Sequence, residues 1–186
     1  MLRFITGGAR SGKSSFAEKL VRESPGTTVY IATAVPFDDG MRDRIAKHRQ
    51  SRPAEWKTVE RWKDFEELDG DAAFNEADNV LFDCVTVMIT NQMMDSGLDF
   101  DSCTMDEVNA LEIRIREDTA RLLDALDKKN AVIVSNELGS GLEPAYRMGS
   151  LFRDIAGRIN QEIAARADEV WLAVSGIPVR IKQQNV

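Results

Sequence analysis

Residues 7–14 read Gly7-Gly8-Ala9-Arg10-Ser11-Gly12-Lys13-Ser14. This fits G-x-x-x-x-G-K-[ST], the spacing of a loop that cradles phosphates. Its glycines let the backbone turn tightly and bring N–H groups close to anionic oxygens. Lys13 would reach the β- and γ-phosphates, and Ser14 would offer its hydroxyl to Mg²⁺. The alternative is a glycine-rich turn that caps a helix, with Lys13 merely solvated. Context favours the phosphate role. The apolar stretch Leu2–Thr6 reads as a strand, Ser15–Val21 reads as the start of a helix, and the helix would aim its positive end at the same anion.

Two further residues could do chemistry. Asp83 ends the apolar run Asn79-Val80-Leu81-Phe82-Asp83. An acid there helps hold Mg²⁺ in phosphate-loop enzymes, or it caps a helix starting near Val85. His48 is the only histidine in the chain. On a helix it shares a face with Met41 and Ile45, which suits a packed residue. Imidazole is also a nucleophile at neutral pH and forms covalent intermediates. Attack on an α-phosphate would expel pyrophosphate and leave a nucleotidyl-histidine. Eight Lys/Arg crowd Met41–Lys63 against three acids, Asp43, Glu55 and Glu60. This patch is either a second anion contact or a solvated helix face. Glu137 is either an acid–base carboxylate or part of a turn with Gly139 and Gly141.

The elements that must position these residues follow from the apolar pattern. Leu2–Thr6, Thr28–Thr33, Asn79–Asp83, Ala131–Ser135 and Glu169–Ser175 read as buried strands. Helices are predicted over Lys13–Glu23, Asp39–Gln50, Thr86–Asp95, Met105–Lys128 and Gly149–Arg166. Short apolar strands alternating with helices predict an α/β fold: a phosphate-loop NTPase-type three-layer domain with a mainly parallel central sheet. Residues 1–186 are expected to form a single domain. In such sheets the ligand sits at the carboxyl ends of the strands. Asp64–Asn79 and Asp95–Thr104 read as surface structure.

Composition bounds the function. A net charge of −7 argues against broad nucleic-acid binding. No apolar stretch is long enough for a membrane span, and no signal-peptide pattern opens the chain. Cys84 and Cys103 lack metal or redox spacing, so free thiols in a reducing cytoplasm are expected.

The residues resemble a known family. The resemblance rests on Thr6–Ser14, Tyr30-Ile31-Ala32-Thr33, the His48 segment ending Arg52-Pro53-Ala54-Glu55-Trp56, and Val59-Glu60-Arg61-Trp62. It rests equally on Asp83-Cys84-Val85-Thr86 with Thr90-Asn91, Ser135-Asn136-Glu137-Leu138-Gly139, Phe152–Gln161 and Val174-Ser175-Gly176-Ile177-Pro178. These stretches, spread over residues 2–182, resemble the bifunctional adenosylcobinamide kinases / adenosylcobinamide-phosphate guanylyltransferases of cobalamin biosynthesis. The resemblance implies two reactions. The aminopropanol hydroxyl of adenosylcobinamide is phosphorylated with a nucleoside triphosphate, either ATP or GTP. GMP is then transferred from GTP to that phosphate through a guanylyl-histidine, which falls on His48. Implied nucleotide contacts fall on Gly7, Gly8, Ala9, Arg10, Ser11, Gly12, Lys13 and Ser14, on Ala32, Thr33 and Ala34, on Arg49, Gln50, Ser51 and Arg52, and on Glu60 and Asp83. Ser14 and Asp83 are the implied Mg²⁺ residues. Relatives often carry Glu where this chain has Asp83, so its contact is either metal or guanine. The family assembles as a trimer.

Two other classes were weighed. One is a single-activity small-molecule kinase with a structural His48. The other is a GTP-binding switch. The switch lacks an N-K-x-D guanine signature, and the D-x-x-G at Asp154–Gly157 falls inside a predicted helix.

Overall fold

The structure is a computed structural model, and it describes residues 1–36, 40, 42 and 52–183. The helix expected over Asp39–Gln50 lies mostly outside the described residues. A seven-stranded sheet runs through the molecule in the order β3-β2-β4-β5-β1-β6-β7. The strands are β1 (Leu2–Gly7), β2 (Thr28–Ala32), β3 (Lys57–Glu60), β4 (Asn79–Asp83), β5 (Asn130–Val134), β6 (Glu169–Val174) and β7 (Ile177–Gln183). Every pairing is parallel except β6 with β7. The α/β expectation with a mainly parallel sheet holds.

The five central strands are the five apolar runs. A parallel strand covered on both faces must be apolar on both. The two strands that were not foreseen lie at the two edges. In β3 only Val59 is buried, so Lys57-Thr58-Val59-Glu60 carries no apolar run. In β7 every residue is exposed or half-buried. Edge strands need only one partner, so their apolar signal is weak.

One face of the sheet is covered by α1 (Lys13–Arg22), packed over Ile5, Leu81, Val132 and Val134. The other is covered by α3 (Val85–Asp95), α4 (Met105–Leu126) and α5 (Arg147–Arg166), packed over Phe4, Ile31, Phe82 and Ile133. Helix α4 starts at a capping box: Thr104 Oγ1 accepts from the Glu107 N–H, and the Glu107 carboxylate accepts from the Thr104 N–H.

The surface reading of Asp64–Asn79 and Asp95–Thr104 is corrected. A 3₁₀ turn (Phe65–Gly70) and the short helix α2 (Ala72–Glu76) bury Phe65, Leu68 and Phe74 in the main core. The Phe65 ring meets Phe82 edge-on at 5.7 Å, and Phe100 is buried as well. Acids flank Phe65 and Phe100 directly, so the polar average hid single apolar anchors.

Candidate active site

Register places the carboxyl ends of the strands in one row. Ala32 pairs with both Glu60 and Asp83, Asp83 with Val134, and Gly7 with Ala173. The expected nucleotide residues on four strands therefore meet at one rim, although they are far apart in sequence.

The phosphate loop joins β1 to α1. Gly12, which precedes α1, has φ 90°, a conformation that suits glycine. A Cβ on Gly12 would sit 3.0 Å from the Gly176 Cα, and one on Gly7 would sit 2.5 Å from the Ala173 carbonyl oxygen. The loop thus packs directly on the turn between β6 and β7. The Gly176 N–H donates to the Ser11 carbonyl at 2.9 Å, which fastens the two together. Gly8, Ala9 and Arg10 are exposed above the loop. Ser11 Oγ is buried and has no hydrogen-bond partner among the described residues.

Lys13 is buried, and its ammonium donates to the Gly8 carbonyl at 3.1 Å. Burial lowers its pKa below the ordinary lysine value, and the nearby Cys84 and Asp83 push it partly back up. Lys13 and Asp83 therefore share one electrostatic environment. Asp83 closes β4, and α3 follows with Cys84 at its N-cap. Asp83 does not cap that helix, so the capping alternative is set aside. Its Oδ2 accepts from the Tyr30 hydroxyl at 3.1 Å. Burial, then the Asp83 charge, raises the Tyr30 pKa far above the ordinary phenol value.

Tyr30 escaped the sequence reading because it looks like any aromatic in a buried strand. Its other face carries Arg52, whose guanidinium carbon lies 3.2 Å from the ring centroid. Arg52 Nε is buried with no hydrogen-bond partner among the described residues. Tyr30 thus touches a carboxylate through its hydroxyl and a guanidinium through its ring face.

Thr33 is fully buried beneath the rim. Its hydroxyl donates to the Cys84 carbonyl and accepts from the Cys84 N–H, so it pins the end of β2 to the end of β4. Ala34 follows, half-buried, and Glu60 is exposed at the end of β3. His48, Arg49, Gln50 and Ser51 lie outside the described residues. A second polar chain joins the ends of β4, β5 and α5. Asn136 donates to Thr86 Oγ1, Asn160 donates to the Asn136 carbonyl, and Ser135 donates to Asn160 Oδ1.

The donor set bears on the metal. Ser14 on α1 and Asp83 on β4 are hard oxygen donors facing one rim. No group of three His, Cys, Asp or Glu able to hold a metal occurs among the described residues. Hard oxygen donors of this kind are the type that Mg²⁺ takes, one or two from the protein.

Comparison with known proteins adds the lineage. A family model described as cobinamide kinase / cobinamide phosphate guanyltransferase matches residues 3–181. The chain belongs to this family. It is 48% identical to the bifunctional adenosylcobalamin biosynthesis protein CobU of Escherichia coli (strain K12), over 98% of this chain and 100% of that protein. It is 44% identical to the protein of the same name from Salmonella typhimurium (strain LT2), again over 98% and 100%. The bifunctional adenosylcobalamin biosynthesis protein CobP of Pseudomonas aeruginosa is 37% identical over 98% of each chain. For a member of the cobinamide kinase / cobinamide phosphate guanyltransferase family, the D-x-x-G at Asp154–Gly157 is no switch element, because it lies within α5. No helix among the described residues is long and apolar enough to cross a membrane.

Proposed function

We propose that the chain phosphorylates the hydroxyl of adenosylcobinamide and then transfers GMP from GTP to the resulting phosphate, both at this rim. What supports the reading is Lys13 of the phosphate loop lying within electrostatic reach of Asp83 at the end of β4 in a chain of this family. Phosphoryl transfer depends on positioning and charge neutralisation, which these groups supply. Backbone N–H groups of Gly8–Lys13 cradle the phosphates, Lys13 neutralises the β- and γ-oxygens, and Ser14 with Asp83 would hold Mg²⁺. The ion, when bound, neutralises charge between the β- and γ-phosphates.

The second reaction runs through His48. Its imidazole nitrogen attacks the α-phosphorus of GTP, a phosphorus–nitrogen bond forms, and the bond to the α–β bridging oxygen breaks as pyrophosphate leaves. An oxygen of cobinamide phosphate then attacks the same phosphorus and frees the histidine. Arg49, Gln50, Ser51 and Arg52 surround the transferred group, and Ala32, Thr33, Ala34 and Glu60 line the nucleotide. We further assign the chain one domain over residues 1–186, a homotrimeric assembly and a cytoplasmic location, the last in keeping with the free thiols of Cys84 and Cys103.

Incubation with GTP labelled at the α-phosphate, followed by denaturation, tests the covalent route. Label is expected on the protein, lost in mild acid and stable to base, and absent from His48→Ala. A folded, GTP-binding protein that carries no label overturns the guanylyl-histidine and leaves a kinase alone. Sedimentation equilibrium at a mass other than three chains overturns the trimer.

A further inference from the structure

A cavity of about 330 Å³ opens between the sheet and α5, directly behind the phosphate loop. Its floor is apolar, with Phe4 and Val170. Thr6, the residue before Gly7, lines it from β1. Thr6 is only 8% exposed, yet its Oγ1 has no hydrogen-bond partner among the described residues. A buried hydroxyl left unpaired is costly, so it calls for a partner from outside. The neighbouring amides do not serve. Asn160 is taken up by Ser135 and the Asn136 carbonyl, and Asn136 donates to Thr86. Gln161 stands exposed at the mouth and makes no side-chain hydrogen bond.

The lining also sets the charge of the ligand. Among the described residues that line the cavity Arg153 is the one basic side chain, and it faces Glu143 at 3.4 Å and Asp154 at 3.9 Å. Glu137 stands at the rim end: its N–H donates to the Gly7 carbonyl at 3.0 Å, and its Oε1 accepts from the Gly139 N–H at 2.7 Å, which leaves the second carboxylate oxygen for a ligand. An anion would meet a carboxylate and no free cation, whereas a neutral ligand with amide and hydroxyl groups meets Thr6 and Gln161. Volume excludes a whole corrin ring and admits one of its side arms.

We propose that this cavity holds the hydroxyl-bearing arm of the cobinamide acceptor. The proposal rests on the kinase reading above. Thr6 Oγ1 hydrogen-bonds the amide of the arm, and the terminal hydroxyl stands at Glu137 beside the loop. As that oxygen bonds to the γ-phosphorus, the bond from γ-phosphorus to the β–γ bridging oxygen breaks. The nucleoside diphosphate leaves, and the hydroxyl proton passes to the Glu137 carboxylate.

The test pairs steady-state kinase kinetics with equilibrium binding of cobinamide, read from its visible absorbance. In Thr6→Val, the cobinamide KM and Kd are expected to rise about tenfold while the KM for GTP stays put. Thr6→Ser, which restores the hydroxyl, should bind within about twofold of the parent. Glu137→Gln should lose about a hundredfold in kcat with its cobinamide Kd unchanged. Unaltered cobinamide affinity in Thr6→Val overturns the assignment, as does an equal rise in the KM for GTP. Should the Thr6 variants not fold, Gln161→Leu at the exposed mouth decides: a raised cobinamide KM supports the site and an unchanged one removes it. A parent protein that binds cobinamide without phosphorylating it sinks the kinase reading but keeps the cavity. A parent that does not bind cobinamide sinks both.

Discussion

At the scale of single residues, Tyr30 is the part with the clearest separable role. Its hydroxyl reaches Asp83 and its ring carries Arg52. Tyr30→Phe keeps the ring and deletes only the donor. Asp83 is half-buried, so water can replace the lost hydrogen bond, and the stability change should stay below about 1 kcal/mol. The carboxylate, however, loses its orienting contact. The Mg²⁺ concentration for half-maximal GTP turnover is expected to rise roughly three- to tenfold, the equivalent of about 1 kcal/mol. Identical Mg²⁺ titrations for parent and variant would show that Asp83 does not need this hydrogen bond.

Elements act on the site through their ends. The turn between β6 and β7 touches the phosphate loop through Gly176, whose φ is 84°. A Cβ there meets nothing within 4 Å, so Gly176→Ala tests backbone strain alone, about 1–2 kcal/mol. We expect a Tm lowered by a few degrees and a nucleotide KM raised several-fold. A drop in Tm with normal nucleotide KM would mean that the turn stabilises the sheet without bracing the loop. A second element-level effect involves Asp118 of α4, which accepts from the Phe65 N–H and the Gln92 side chain. Burial raises its pKa above the ordinary aspartate value. The folded state then binds the proton more tightly than the unfolded state. Its favourable contribution is fully present below the unfolded pKa of 3.8 and is lost as pH rises through the higher folded pKa. Relative to Asp118→Asn, the parent should therefore gain stability as pH falls from 7 toward 4. Denaturant unfolding across that range checks it, and a constant difference would remove the argument.

For the molecule as a whole, the layers are held by anchors that a sequence average conceals. Phe65 is fully buried between the 3₁₀ turn and Phe82. Phe65→Ala should cost about 3–5 kcal/mol through lost burial and a residual cavity. For a chain of this size that lowers Tm by on the order of 10 °C. A shift under about 3 °C would indicate that the turn collapses into the space. The same packing supports the rim, because Phe82 precedes Asp83 on β4.

The amino-acid order by itself determined the phosphate loop, the five central strands and the α/β class. Those features are local: a fixed spacing of glycines and lysine, and apolar runs long enough for strands buried on both faces. The same order marked Asp83 as an acid ending an apolar run, the family resemblance added Glu60, and register then brought both beside Ala32. Only the tertiary structure decided the rest. Edge strand β3 buries only Val59 and edge strand β7 buries no residue, so neither leaves an apolar run to read. The Tyr30–Asp83 hydrogen bond and the Gly176–Ser11 contact join residues 53 and 165 positions apart. No local pattern encodes such pairs, since chain crossing and packing choose them. The unpaired Thr6 hydroxyl is of the same kind. In sequence it is a threonine ending a strand, and only the packing of α5 against the sheet makes it the lone unsatisfied group of a cavity behind the loop.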